Sequence, residues 1–571
     1  MRRCKRRSQM LSESRWLGFR RCTQCTAVEP DHYEHDRRTC SDTAYYCESK
    51  THKGNSREEP AKPRQYSAAS YALTAEASPL DEAAIAYQEF LEVFPEYRLT
   101  WIVDALRRSD YGRLEASGET YVDYMGGAIY SEGLVRAHTE FLTRSLLGNT
   151  HSISTSSKLS AKCADNARAA VLSFFQAPSD EYTVVFTPNA TGALKLVGEA
   201  YPFTGASSYV LACDSHNSVH GIRDYATSRG SRVCYIPSTP TGGFDPSTAK
   251  TLLSQNQPES KDSAPCLFAL TGQSNISNTK SPLTIVGYAA SLGYHTLLDA
   301  AALAPTSRIS LTECRADAMA VSFYKMFGFP TGIGALVIKK AFLAQLKRPW
   351  FAGGNVDFVQ VPGSIVIRSH ELHEQFEDGT INYLALSAIT NGLRFLSAFL
   401  PFLPLRHSCL LHYLISELSK LRHDTNGAHS IRILSETPSR RLKQVGEQSD
   451  TGSVVSLVFL SPSGELMPNS FVEYVASTLR ISLRTGCMCN PGAAAALLRI
   501  EDDMQRLYAC VTAQDIERVL GRELGVVRVS FGIASNFQDA HMILRLARLL
   551  SIEKSRAGMW ERYIDDQRHL L

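Results

Sequence analysis

Apolar residues along this chain gather into short unbroken runs separated by longer mixed stretches. Seven such runs lie at 182–187, 208–213, 232–236, 266–270, 295–298, 318–323 and 334–338. Runs of this length, without polar alternation, are expected of strands buried on both faces. The stretches between most of them suit helical crossovers, so the pattern predicts an α/β domain on a mostly parallel, seven-stranded sheet. Ahead of it, Ala83, Ile85, Phe90, Leu91 and Phe94 recur at helical spacing behind Ser78-Pro79, a suitable cap and first turn. Residues 121–124 then read as a short strand running into Gly126-Gly127.

Beyond about residue 400 the pattern changes. A helix near 410–421, strands at 431–434 and 454–459, a helix at 470–479, a strand at 526–531 and an amphipathic helix at 537–550 predict a smaller α+β domain. The expected division is an extension at 1–75, an N-terminal helical segment with the large domain at 76–400, the small domain at 401–552 and a tail at 553–571. Two polar stretches, 257–265 and 435–453, read as surface loops. No run reaches membrane-spanning length: the best, 392–405, is interrupted by Arg394, Pro401 and Pro404 and reads as a buried helix end, so no membrane partner is expected.

Composition narrows this picture. A chain of 571 residues exceeds what one hydrophobic core supports. A net charge of +3 gives no global case for nucleic acid. Charge is nonetheless uneven, since residues 1–65 carry 15 Lys and Arg against 9 Asp and Glu. That polar, irregular segment lacks the apolar centre of a secretory signal, and disorder is expected. A cytoplasmic location is expected, with the mitochondrion as the alternative because of its arginines and serines. Cys22 and Cys25 have metal-knuckle spacing but Cys40 and Cys47 do not, so no metal site is expected. Fourteen cysteines without a secretory signal point to reduced thiols.

Candidate chemistry sits where the apolar runs end. Ser322-Phe-Tyr-Lys325 leads from one into a glycine-rich turn, Gly328-Phe-Pro-Thr-Gly332-Ile-Gly334. A lysine in a dry, tightly turned site has a lowered pKa and a free lone pair, as Schiff-base chemistry requires. Taken alone, Lys325 equally suits a lysine leaving an edge strand. The run at 182–187 ends in Pro188-Asn-Ala-Thr191-Gly192, and a helix is expected from Leu194; such a turn makes an anion site, although many strand-to-helix turns look like it. Asp299 ends another run, where open α/β sheets bind ligands; it either caps the next helix or keeps a pyridinium nitrogen protonated. His216, in Asp214-Ser-His216, suits stacking on a ring or plain surface exposure.

Taken together and in order, these residues resemble the cofactor-lysine pattern of class V aminotransferases and cysteine desulfurases. The resemblance is closer still to the amino-terminal domain of eukaryotic molybdenum cofactor sulfurases. Four passages carry the likeness: Gly148-Asn-Thr-His151-Ser, Phe323-Tyr-Lys-Met-Phe-Gly-Phe-Pro-Thr-Gly, Phe376-Glu-Asp-Gly379-Thr380-Ile, and Arg484-Thr-Gly-Cys487-Met-Cys489-Asn-Pro-Gly492. The resemblance implies a fold-type I transferase using pyridoxal 5'-phosphate. Lys325 would bind the cofactor and later act as the base. Asp299 would pair with the pyridine nitrogen and His216 would stack on the ring. Thr191 and Ser322 would hold the phosphate, and Asn275 would lie near cofactor and substrate. Thr380 would reach the phosphate of a neighbouring subunit, implying a homodimer. Arg528 would grip the substrate carboxylate through paired hydrogen bonds. By the spacing of the family's loop, Cys489 rather than Cys487 would be the nucleophile, a thiolate on a mobile, partly exposed loop.

The implied reaction moves sulfur from L-cysteine to an enzyme persulfide and releases alanine, with the molybdenum cofactor or a carrier protein as acceptor. Four positions depart from the family: Ala302 stands where a glutamine commonly bonds the cofactor's phenolic oxygen, Tyr324 where bacterial desulfurases have histidine, Ala494 for a cysteine, and Met125 in a small-residue turn. Molybdenum cofactor sulfurases carry a further carboxy-terminal domain, whereas this chain ends at Leu571, so the acceptor is left unassigned. The competing readings are another pyridoxal-phosphate lyase or transferase acting on a different amino acid, and an interaction protein with a dead site.

Overall fold

The computed structural model describes residues 79–259, 264–507 and 511–570. Cys22, Cys25, Cys40 and Cys47 and the expected disordered extension lie outside them, as do residues 260–263 of the 257–265 loop. All seven apolar runs are strands: β1 (Tyr182–Thr187), β2 (Ser208–Ala212), β3 (Arg232–Ile236), β4 (Leu267–Thr271), β5 (His295–Asp299), β6 (Ala318–Ser322) and β7 (Gly334–Lys339). They form one sheet in the order β1-β7-β6-β5-β4-β2-β3, in which only β7 runs antiparallel to its neighbours. β2, β4 and β6 are buried along their whole length, as two-sided coverage by helices requires. The carboxyl ends of the parallel strands therefore face one side of the sheet, where such folds hold ligands.

Helix α1 (Pro79–Val93) opens the described chain. Its face does not pack on this large sheet. Phe90, Leu91, Phe94 and Tyr97 join the core of the smaller sheet with Leu410, Leu414 and Phe537, so this first helix, assigned with the large domain, packs with the small one, while Val103, Leu106 and Leu114 further on enter the large core. An amphipathic stripe states that a face is buried, not against what. Two internal ion pairs secure this docking. Arg406, fully buried over the Tyr97 ring, bonds Asp104, Thr100 and the Ser535 carbonyl. Arg107 bonds Asp539 at 2.7 Å and Glu115 at 2.8 Å.

The small sheet comprises β8 (Ile431–Ile433), β9 (Val454–Phe459), β10 (Arg484–Gly486) and β11 (Val526–Ser530), antiparallel in the order β8-β9-β11-β10. Residues 553–571, expected to be a tail, instead continue into a helix, Glu553–Leu570. Trp560 and Tyr563 on it pack against Phe471, and the Tyr563 hydroxyl donates to Ser470 Oγ at 2.9 Å. The 435–453 stretch is likewise more than a surface loop. Arg441 and Lys443 pair with Glu96, and Gly452 N–H donates to the Asn278 carbonyl at 2.8 Å.

One helical stretch among the described residues, Leu386–Lys420, has the length and mean hydropathy (1.3) of a membrane span, which corrects the shorter run read from the sequence. A tight turn at Leu400–Phe402 breaks it, and leucines on either side enter different cores, Leu393 and Leu396 in one and Leu410 and Leu414 in the other.

Replacing Arg406 by alanine leaves Asp104 without its buried partner and loosens the amino-terminal segment from the small sheet. Arg406→Ala is expected to lower unfolding free energy by about 3 kcal/mol, measured by urea denaturation. An unchanged midpoint would show that this ion pair does not hold the segment.

Candidate active site

The strand ends converge on a cavity of about 110 Å³. One wall is the start of a helix, α2 (Ala190–Ala200), which begins four residues earlier than expected, so Thr191 lies in its first turn. Asn189 caps it, accepting from Gly192 N–H at 2.9 Å. Ser322 Oγ accepts from Ala190 N–H at 2.8 Å, and Thr191 Oγ1 lies 2.8 Å from Ser218 Oγ. The Thr191 N–H has no partner among the described residues. A free amide, two hydroxyls and the positive end of a helix dipole make a cradle for a phosphate.

Lys325 is not at the strand end itself. β6 stops at Ser322, and Lys325 sits in the single helical turn α3 (Phe323–Phe327) that follows. Gly328 ends this turn at φ 82°, where a Cβ would lie 2.4 Å from Tyr130 N, so only glycine brings the two backbones together. Lys325 makes no hydrogen bond or ion pair among the described residues. Burial pulls its amine down to about 8, against the opposing charge of Asp299. Asp299 is buried at the end of β5, one oxygen accepting from Ala301 N–H at 3.0 Å. Burial likewise lowers the His216 pKa, and Asp299 opposes that too. His216 Nδ1 accepts from Ser218 N–H at 3.1 Å, so in the neutral ring Nε2 carries the proton.

Lys325, Asp299, His216, Thr191, Ser322 and Asn275 thus share one cavity, as expected. The cysteine loop is fixed to its rim. Asn217 N–H donates to the Cys489 carbonyl at 2.7 Å, and Asn275 Nδ2 donates to the Met488 carbonyl at 2.7 Å. Asn490 Nδ2 donates to Asp214 at 2.7 Å. Met488 and Cys489 both have φ 55°, a conformation that costs roughly 1–2 kcal/mol per residue outside glycine. The loop is therefore anchored by hydrogen bonds and held in strain, not loose as expected. Cys489 is exposed, whereas Cys487 packs against the small apolar cluster that includes Ile276 and Leu497, and burial pushes its thiol pKa up.

Besides Cys489, two expected residues, Arg528 and Thr380, do not line the cavity. Arg528 is 1% exposed, and its guanidinium bonds Asp123 and the Asn275 carbonyl. A guanidinium this deep needs a counter-ion, and Asp123 supplies it; Arg484 approaches the other Asp123 oxygen at 3.5 Å. Thr380 accepts from Asn149 Nδ2 at 3.2 Å, in another cleft beside Phe376 and Asn382. Sequence reasoning also passed over Asp214, Ser218, Asn490 and Gln273. Asp214 and Asn490 were in view as motif neighbours, but hydrogen-bond roles have no signal in a single sequence. Gln273 lines the cavity with both amide atoms buried and without a partner among the described residues. The open phosphate cradle, the unpaired lysine, the carboxylate and this orphaned amide fit pyridoxal 5'-phosphate.

Similarity to known proteins places the chain in a family. The model of the family described as Aminotransferase class-V matches residues 120–543. The molybdenum cofactor sulfurase of Solanum lycopersicum is 32% identical over 470 residues, covering 77% of this chain and 56% of the relative. That of Homo sapiens is 31% identical over 477 residues, covering 80% of this chain and 52% of the relative. The chain spans about half the length of these curated relatives. Among solved structures, the apo cysteine desulfurase from Thermococcus onnurineus NA1 superimposes with a TM-score of 0.63 at 21% identity, covering 78% of this chain and 98% of that one. The cysteine desulfurase CsdA from Escherichia coli gives 0.58 at 19% identity, covering 78% and 97%. These two likenesses concern the fold. With a family model matched over most of its described length and a lysine cavity at the strand ends, this chain belongs to the class-V aminotransferase family, whose members work through pyridoxal 5'-phosphate.

Proposed function

We propose that this chain takes sulfur from L-cysteine onto the Cys489 thiol, releases alanine and then passes the sulfur on. The observation that carries this reading is the placement of Cys489: exposed, and tied through its own carbonyl to the turn that carries His216. Bound pyridoxal 5'-phosphate supplies the electron sink that weakens bonds at an amino acid's Cα.

The chain's residues supply the rest. The α2 start holds the phosphate, and Asp299 keeps a positive charge on the ring nitrogen. Lys325 Nζ, poised near neutral pH by burial, takes the Cα proton. The Cys489 thiolate attacks the substrate sulfur: an S–S bond forms, the C–S bond breaks, and alanine and an enzyme persulfide result. The names of the curated relatives suggest the molybdenum cofactor as acceptor, with a carrier protein as the alternative.

A homodimer is part of the proposal. Thr380 lies away from its own chain's cavity, and exposed Leu146, Ile153, Trp350 and Phe358 suit burial against a second copy that Thr380 would serve. Sedimentation equilibrium should give twice the chain mass; a monomer at micromolar concentration would remove this part.

Cys489→Ala is expected to keep the cofactor's absorption band yet lose alanine release from L-cysteine by on the order of a hundredfold or more, while Cys487→Ala retains most of it. Full turnover in Cys489→Ala would end the persulfide route. Burial of Lys325 sets a pH dependence as well. Only the neutral amine condenses with the cofactor, so uptake by the apoprotein should rise with pH through a midpoint near 8. Asp299→Asn removes the opposing charge and should move that midpoint lower. Stopped-flow absorbance checks both, and a midpoint at the ordinary lysine value of about 10.4 would contradict the dry cavity.

A further inference from the structure

Two departures from the family pattern are one change. Met125, Ala302 and Val454 pack on one another as a separate small apolar cluster. Met125 is fixed by its N–H, which donates to Ser530 Oγ at 2.9 Å. A side chain longer than alanine at 302 would compete with Met125 for the same space, and of the three only Ala302 lines the cavity, giving it an apolar edge there.

The polar group on the neighbouring wall is Gln273. It follows Thr271 by two residues, and Thr271 pairs in register with Asp299. Its side chain is 1% exposed, lines the cavity beside Ala302, and leaves both Nε2 and Oε1 without a partner among the described residues. Room for the amide depends on Gly452, where a Cβ would lie 2.4 Å from Gln273 Nε2. An unmet buried amide is costly, and a leucine or methionine here would avoid that cost.

Pyridoxal 5'-phosphate presents three polar groups. The α2 start suits the phosphate and Asp299 suits the ring nitrogen, which leaves the phenolic oxygen. Two polar neighbours in the sequence, Asn275 and Thr271, are committed elsewhere. Asn275 donates to the Met488 carbonyl and accepts from Asn490, and Thr271 Oγ1 donates to Ser215 Oγ. We propose that Gln273 donates its amide N–H to the phenolic oxygen of the cofactor, making it a cofactor-contacting residue beside the apolar edge at Ala302.

Donation to a phenolate withdraws charge from it, so the nitrogen joining Lys325 to the cofactor holds its proton less tightly. The proposal rests on the cofactor being bound at Lys325 and is independent of which amino acid is the substrate. The test is a spectrophotometric pH titration of the resting, cofactor-loaded protein. Gln273→Met, which keeps volume and removes the amide, should raise the midpoint between the two resting bands by about one pH unit. An unmoved midpoint overturns the proposal. If the wild-type protein itself shows no lysine-bound band, the cofactor assignment fails instead, so the two failures are distinct.

A second measurement covers a variant too poorly loaded to titrate. The apoprotein's affinities for pyridoxal 5'-phosphate and for its 3-deoxy analogue, which lacks the phenolic oxygen, are compared by equilibrium dialysis. Gln273→Met should narrow the wild-type preference for the natural cofactor about tenfold. An equal preference in wild type and variant overturns the proposal.

Discussion

The structure turns on a lysine placed where its charge is poorly solvated. Lys325 sits among strand ends of a buried sheet with no bonded counter-ion among the described residues, and burial draws its amine towards neutrality. Asp299 faces it without forming an ion pair, which leaves the carboxylate available to a ring nitrogen and the amine available to a carbonyl carbon. A bonded Lys325–Asp299 pair would be easier to fold and would close both options. The cavity is thus arranged for a cofactor that satisfies its groups from within.

The second structural hub is Asp214. It is 3% exposed and accepts from Ser274, Ser277, Asn490 and the Gly243 N–H, with distances between 2.6 and 2.7 Å. One carboxylate thereby joins the loop after β4, the glycine turn near 243 and the cysteine loop. The strained conformation of Met488 and Cys489 persists because these bonds determine it. A thiol held this way presents its sulfur from a rim that the sheet itself locates, and nothing in that argument requires the loop to swing.

Much of this was legible in the sequence, for identifiable reasons. Seven strands could be read because two-sided burial forces unbroken apolar runs, and strand ends could be read because Asp299, Thr191 and Lys325 interrupt or follow them. What escaped was relational. The α1 stripe showed a buried face but not that Leu410 and Phe537 cover it. Arg528 was placed as a carboxylate grip because nothing in its own strand announces Asp123, 405 residues away, as its partner. The helix Glu553–Leu570 was missed because its few apolar residues, Trp560 and Tyr563 among them, meet Phe471 on another element. Gln273 carries no signal at all, since its importance lies in partners it lacks.

The central claim is that the cavity delivers sulfur to Cys489. The most direct measurement is peptide mapping by mass spectrometry after the cofactor-loaded protein meets L-cysteine, with thiols and persulfides trapped by an alkylating agent. The account predicts one extra sulfur on the peptide at Cys489, formed alongside alanine and absent when Lys325 is replaced by alanine. Alanine formed with no added sulfur on that peptide, or the sulfur found on Cys487 alone, would contradict it.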